Sequence, residues 1–270
     1  MASLRDLKNR IESVKSTQKI TKAMKMVAAA KLRRAQDAVA AAQHYADGYQ
    51  HLVQSLVTMV DAEDHPLLAD RANARHAEVV MLTSSRGLCG GFNTNLMKRF
   101  EQFMKGPGAD YDSVSVTTIG RKGADVVARR YTLREDCTGV FASGEPEVEA
   151  RALTTALAER FIAGDVDHVY VVYNRFVSVL TQEPTMTRLL PTQLPDEVEE
   201  AEVQVTIEPD PQSLLDYVLR QQLFLTLFQA VLDTEAGEHA SRMTAMDGAT
   251  KNAGEMIDDG RIDKNDRWTN

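Results

Sequence analysis

Leu4, Leu7, Ile11, Val14, Gln18, Thr21, Lys25, Ala28, Leu32, Ala35, Val39, Ala42, Ala46, Tyr49, Val53, Leu56 and Val60 succeed one another at spacings of three or four, with no proline before Pro66. A helix over residues 4 to 60 would be roughly 85 Å long at about 1.5 Å per residue. A compact globule of this chain length has a radius of gyration of only about 18 Å. The chain must therefore extend a rod from a smaller body.

A stripe repeating every seven residues marks a coiled coil, so the rod needs a partner helix of similar length. One follows the punctuation Glu208-Pro209-Asp210-Pro211, where Leu214, Val218, Leu225, Leu232, Ala236, Met243, Met246, Ala253 and Ile257 are spaced by three, four or seven. Proline in the first turn with acids before it is an ordinary helix start. The organisation expected is an N-terminal shaft helix over 1–62, an inserted α/β domain over 77–207, a C-terminal shaft helix over 208–258 and a tail over 259–270. Gln18, Thr21, Lys25, Gln222, Gln229 and His239 occupy or flank the seam. Polar and small seam residues weaken a coiled coil while letting its backbones approach.

The net charge of -8 conceals an asymmetry. Residues 1–35 hold ten Lys and Arg against Asp6 and Glu12, a local +8, so the remainder carries -16. Such a basic end is either a solvated helix face or a docking surface for acidic protein loops or nucleic acid. No aromatic precedes Tyr45, which argues against stacking on single-stranded nucleic acid. Apolar runs such as Val79 to Leu82 fall far short of the ~20 residues that span a bilayer, and charge begins at Arg5, unlike a secretory leader. Cys89 and Cys137 are the only cysteines and form no CxxC pattern, so a disulfide framework or cysteine metal site is not expected and a reducing cytoplasm fits.

Between the two helices the pattern alternates strand and helix, with strands at Glu78 to Ser84, Ser113 to Ile119 and His168 to Tyr173. Helices are expected after Asn93, from Gly120 toward Arg130, and over Glu147 to Ala163. This implies a mainly parallel sheet covered by helices. Asn174 to Leu190 reads as a further, hairpin-paired strand, and Pro195 to Glu202 as an acidic loop. The turn Ser85 to Asn93 is glycine-rich and joins a strand to a helix, where N–H groups could cradle phosphate. It lacks the lysine and hydroxyl of GxxxxGK[ST] and the spacing of GxGxxG, so a tight turn capped by Asn93 or Thr94 is expected. Gly120 to Gly123 is a weaker signal still. The six histidines make no HExxH pair and no GxSxG elbow is present. No catalytic residue, metal ligand or cofactor site is expected.

Four blocks, Lys15 to Arg34 (KSTQKITKAMKMVAAAKLRR), Thr83 to Asn93 (TSSRGLCGGFN), Glu208 to Leu215 (EPDPQSLL) and Ala240 to Met256 (ASRMTAMDGATKNAGEM), resemble the gamma subunit of the F-type ATP synthase. The resemblance spans nearly the whole chain in order. It implies an antiparallel coiled coil of the two terminal helices with an inserted Rossmann-like α/β domain. The implied function is that of a non-catalytic central rotor shaft, coupling proton-driven rotation of the membrane c-ring to conformational change at the beta-subunit catalytic sites. The implied partners are the alpha and beta subunits of the ring, the epsilon subunit and the c-ring, with no nucleic acid. The implied place is peripheral, on the cytoplasmic face of a bacterial inner membrane.

On that resemblance, Lys19, Lys22, Met24, Lys25, Lys31, Arg33 and Arg34 would face the ring. Arg242 and Met246 would touch the ring or fasten the two helices. Ala28, Ala29, Ala30 and Ala35 would keep the shaft slim. Arg86, Cys89 and Glu208 would belong to a foot contacting the c-ring and epsilon. The chain departs from the family after Asp258, where a glycine and dense charge with no seam give an atypical, apparently truncated C-terminus that is not expected to continue the rod.

Overall fold

The computed structural model describes residues 4–57, 65–71, 73–139, 144–193 and 210–266. Val60, the acidic stretch Pro195 to Glu202 and Glu208 lie outside the described residues. Two long helices, α1 (Leu4–Val57) and α5 (Pro211–Asp266), pair antiparallel. On α1 the buried positions Thr21, Ala28, Leu32 and Ala35 keep spacings of seven, four and three, the a/d geometry of a two-helix seam. Leu32 and Ala35 meet Ala236 and Ala240. Thr21 Oγ1 lies 2.8 Å from Thr250 Oγ1, and Lys25 Nζ lies 2.6 Å from Asp247 Oδ1. At the other end Val53 and Leu56 join the core that holds Leu215 and Leu219.

The second helix runs to Asp266, eight residues beyond the end expected at 258. No proline interrupts this stretch. A lone Gly260 costs a helix only about 1 kcal/mol relative to alanine, and Arg, Lys and Asp permit helix without a seam.

The inserted domain runs β1 (His76–Leu82), α2 (Phe92–Lys105), β2 (Ser113–Ile119), α3 (Arg121–Arg130), β3 (Thr132–Asp136), α4 (Pro146–Ala163), β4 (His168–Phe176) and β5 (Gln182–Leu190). The sheet order is β3-β2-β1-β4-β5. The first four are parallel neighbours, and β5 returns antiparallel to β4 as the expected hairpin. Strand β3 escaped the sequence reading. Its residues TLRED are exposed or half-buried, which is how a short edge strand discourages pairing with other chains.

Central β1 is buried on both faces, as parallel strands under helices must be. Val79 and Met81 pack with Leu96, Phe100 and Phe103 of α2 and Val127 of α3. Val80 and Leu82 pack with Leu153, Leu157 and Phe161 of α4 and with α5 from Leu215 to Val231. Gly120, at φ +99°, must be glycine because a Cβ there would sit 2.0 Å from the Thr83 carbonyl oxygen. Its role is close packing, which accounts for the second glycine cluster.

Candidate functional site

The shaft leaves the domain at a definite level. From Leu215 to Ala240, α5 is buried by the sheet, α4 and α1; beyond Ala240, its buried described residues are Arg242, Met246, Ala253 and Ile257. Beside this bare half runs the basic end of α1. Lys19, Lys22, Lys31, Arg33 and Arg34 are exposed, together with Ile20, Met26 and Val27, each 58–61% exposed. Lys25 is half-buried and committed to Asp247 across the coil. Hydrogen bonds from Lys25 and then Lys251 hold the Asp247 carboxyl below the usual carboxylate range. Ala28 and Ala35 lie under the seam, whereas Ala29 is half-buried and Ala30 exposed.

Arg242 and Met246, only 9% and 5% exposed, face inward. The Arg242 guanidinium pairs with Glu238 at 2.7 Å and donates to the backbone carbonyls of Arg86 at 3.4 Å and Gly87 at 3.2 Å. It therefore fastens the β1–α2 turn to α5. The turn itself is a clasp. The Ser84 N–H donates to Asn93 Oδ1 at 3.0 Å, Asn93 Nδ2 donates to Ser84 Oγ at 2.7 Å, and Ser84 Oγ donates to the Arg86 carbonyl at 2.7 Å. Gly91, not Asn93 or Thr94, is the N-cap of α2, with no side-chain cap bond. The asparagine is diverted because closing the clasp engages both ends of its amide. Cys89 is buried beside Asn93 and Ser84, while Arg86 is exposed.

Arg86 and Cys89 lie against α5 at Arg242, about 46 Å along that helix from its first residue, Pro211, at 1.5 Å per residue. The turn joins Met24 and Lys31. Together with Val27, Leu88, Glu235 and His239 they line a groove of about 650 Å³ between α1, the turn and α5. The Glu235 carboxyl is held low by the His239 hydrogen bond, with Lys31 adding a smaller electrostatic pull.

A second loop grips the shaft that sequence reasoning did not single out. The β4–β5 hairpin tip packs Val179 against the cluster of Leu32, Ala35, Ala236 and Ala240. Ser241 Oγ donates to Gln182 Oε1 at 2.7 Å. Between turn and hairpin, the strand order reverses at β1 and β4, the place where doubly wound sheets take nucleotides. Here α5 fills that crevice. A Cβ on Gly237 would lie 3.0 Å from the Phe92 ring and 3.2 Å from the Gln182 side chain, and Asn174 Nδ2 donates to the Phe92 carbonyl at 3.2 Å. The glycine-rich turn thus seats a helix rather than a phosphate. Just below, buried Asp233 has its carboxyl pushed up to about 6 by desolvation, against opposing help from Gln229, the Phe176 backbone and Arg175. It was not singled out from the sequence; the signal available was its position inside a hydrophobic stretch of α5.

A family model described as ATP synthase matches residues 3–267. An ATP synthase gamma chain of an Anaeromyxobacter species is 45% identical over 262 residues, covering 95% of this chain and 90% of the relative. The ATP synthase gamma chain of Pelotomaculum thermopropionicum is 42% identical over 263 residues, covering 96% and 90%. Among solved structures, the fold is similar to a chain of the central stalk and c-ring of Tetrahymena thermophila mitochondrial ATP synthase, with TM-score 0.62, 21% identity and coverage of 85% and 99%. It is likewise similar to a chain of the Euglena gracilis mitochondrial ATP synthase rotor, with TM-score 0.62, 18% identity and coverage of 98% and 97%.

Proposed function

The chain belongs to the ATP synthase gamma-chain family, and from that premise we propose that it is the central rotor shaft of an F-type ATP synthase. The bare half of the coiled coil turns inside a ring of alpha and beta subunits, and the foot rests on the c-ring with epsilon beside it. The observation that carries this reading is the contrast on α5 between a half clamped into a folded domain and a half whose flank is exposed and basic. A rod built this way is held at one end and offered to partners at the other.

The rod is asymmetric: on α1, one side presents Lys19, Lys22, Arg33 and Arg34, while the other is the seam. Inside a ring of three equivalent catalytic pairs, each pair meets a different face. Open and closed forms of each pair are then stabilised to different extents, and that difference is the coupling free energy. The coupling is reciprocal, so turning the rod changes nucleotide affinity and nucleotide turnover turns the rod. The chain supplies no catalytic group in this account.

Of the residues assigned to ring contact, Lys19, Lys22, Lys31, Arg33 and Arg34 keep that role here. Met24 joins them at the groove. Lys25, Arg242 and Met246 hold the shaft together. Arg86 contacts the ring side rather than the foot, Cys89 supports its turn, and Glu208 stays with the foot. No helix among the described residues is long and apolar enough to cross a membrane; in this reading the chain is attached peripherally, through the c-ring, at the cytoplasmic face of a bacterial inner membrane. Relatives matched over 95% of the chain are gamma chains, which leaves the nucleic-acid reading without support.

Mixing the chain with alpha and beta subunits tests this directly. Co-elution on size exclusion with stimulated, multisite ATP hydrolysis is the expected result; separate elution and unstimulated hydrolysis would overturn it.

A further inference from the structure

Residues 65–71, a described stretch between α1 and β1, form a strap that ties the start of α5 to the sheet, and two of its anchors are histidine–carboxylate pairs. At one end His65 Nε2 lies 3.4 Å from Asp216 Oδ1 in the second turn of α5, and His65 Nδ1 accepts the Leu67 N–H at 3.2 Å. At the other end Asp70 lies 3.1 Å from His168 Nε2 on β4 and 3.4 Å from Arg188 on β5, while His168 Nδ1 lies 2.5 Å from the Tyr111 hydroxyl. Leu67, between the two, is fully buried, and its carbonyl accepts the Thr192 N–H at 2.8 Å.

The two imidazoles differ in what a second proton would do. A hydroxyl both donates and accepts, so Tyr111, which also lies 2.8 Å from the Tyr170 hydroxyl, can turn and accept from a protonated His168. The Leu67 N–H can only donate. His65 Nδ1 must therefore be unprotonated for its bond to exist, which places the single ring proton on Nε2, toward Asp216. Protonating Nδ1 sets two N–H groups against each other and leaves the Leu67 amide without an acceptor, at a ring whose residue is only 3% exposed. Asp216 offsets this only in part, because the same carboxylate lies 2.9 Å from Arg220. Asp216 and Arg220 are the charged groups that face His65 among the described residues. Burial foremost, with a smaller push from Arg220, holds the imidazole below its ordinary 6.5 against the pull of Asp216.

We infer that His65 is a proton-released latch: its neutral ring ties the strap to α5, and uptake of a proton frees the 65–69 end while the Asp70–His168 end holds. Release belongs to the acid side of pH 6.5. The unfolded chain takes up this proton first as pH falls, so the stability that the latch contributes is present above that value and is lost below it. The latch is a property of the fold and stands apart from the shaft reading.

The test follows amide hydrogen exchange of the full chain by mass spectrometry at about pH 7.5 and about pH 5.5, on either side of the imidazole range, as protection relative to the unstructured rate at each pH. In wild type, protection over 65–69 should fall about tenfold on acidification, the effect of losing one buried hydrogen bond, while β1 keeps its protection. His65→Asn supplies an oxygen that accepts the N–H two residues on and does not titrate, so the fall should disappear. His168→Gln should retain it. Equal protection at both pH values in wild type, an undiminished fall in His65→Asn, or loss of the fall in His168→Gln would each overturn the latch. Should His65→Asn not fold, exchange of the imidazole C2 hydrogen in wild type reads the titration of His65 directly. A midpoint below 6.5 is expected, and one at or above 6.5 would overturn the latch.

Discussion

The two halves of α5 are built from one continuous helix yet obey different packing rules. Its first half, Leu215 to Ala240, buries leucines and phenylalanines nearly all round, as a helix inside a folded core does. Its second half buries Met246, Ala253 and Ile257 on a single stripe and crosses to α1 through Thr21–Thr250 and Lys25–Asp247. The first half is held by hydrophobic area. The second half is held by a narrow seam and leaves most of its circumference free. The comparison teaches that stability and function are divided along one helix, so mutations on the two sides should fail in different ways.

The largest expected effect is in the first half. Leu227 is fully buried in the main core, so Leu227→Ala should cost roughly 3 kcal/mol by lost transfer energy plus the cavity left behind. Met246→Ala, on the narrow seam, should cost about half as much because a two-helix seam can relax around it. Urea unfolding of the two variants measures the contrast, and equal losses would show that the halves are not distinct.

Next comes Asp233, whose carboxyl is raised from its ordinary 3.8 to about 6 by burial. The unfolded chain loses this proton first as pH rises, so folding stability contributed by the group falls between about pH 4 and pH 6 and stays reduced above. Asp233→Asn should therefore stabilise the protein by on the order of 2 kcal/mol at pH 7.5 and by little at pH 4. A stabilisation that is the same at both pH values would contradict the burial argument. The smallest effect on stability belongs to Lys25→Ala. The pair with Asp247 is half exposed, so its loss should barely move the unfolding midpoint, and the shift should vanish near 1 M salt.

Much of this division was legible in the residues. The repeat on α1 and its counterpart after Pro211 predicted both shaft helices, and β-branched runs such as EVVML and SVSVTTI predicted central strands, because periodicity and burial are local properties of a sequence. Other features depend on what meets what. Strand β3 is short, polar and at an edge, so its composition resembles a loop. Asn93 reads as a helix cap by position, but Ser84, nine residues earlier, competes for it. The turn around Arg86 is fastened by Arg242, 156 residues later, a contact that no local pattern announces. Hairpin residue Val179 carries no pattern announcing that it will sit against Leu32 and Ala236. The end of α5 illustrates the reverse, where loss of a seam was read as loss of helix although helix propensity alone sustains it to Asp266.

The measurement that bears most directly on the account replaces Lys19, Lys22, Lys31, Arg33 and Arg34 together by Glu and asks two questions of one protein. Since these side chains are exposed on the bare half, the unfolding free energy from urea titration should change by no more than about 0.5 kcal/mol per site. Co-assembly with alpha and beta subunits and stimulation of ATP hydrolysis should be lost, and the wild-type interaction should weaken with salt. Unchanged assembly and stimulation by the reversed chain would contradict the claim that the exposed basic half of the shaft is its working surface.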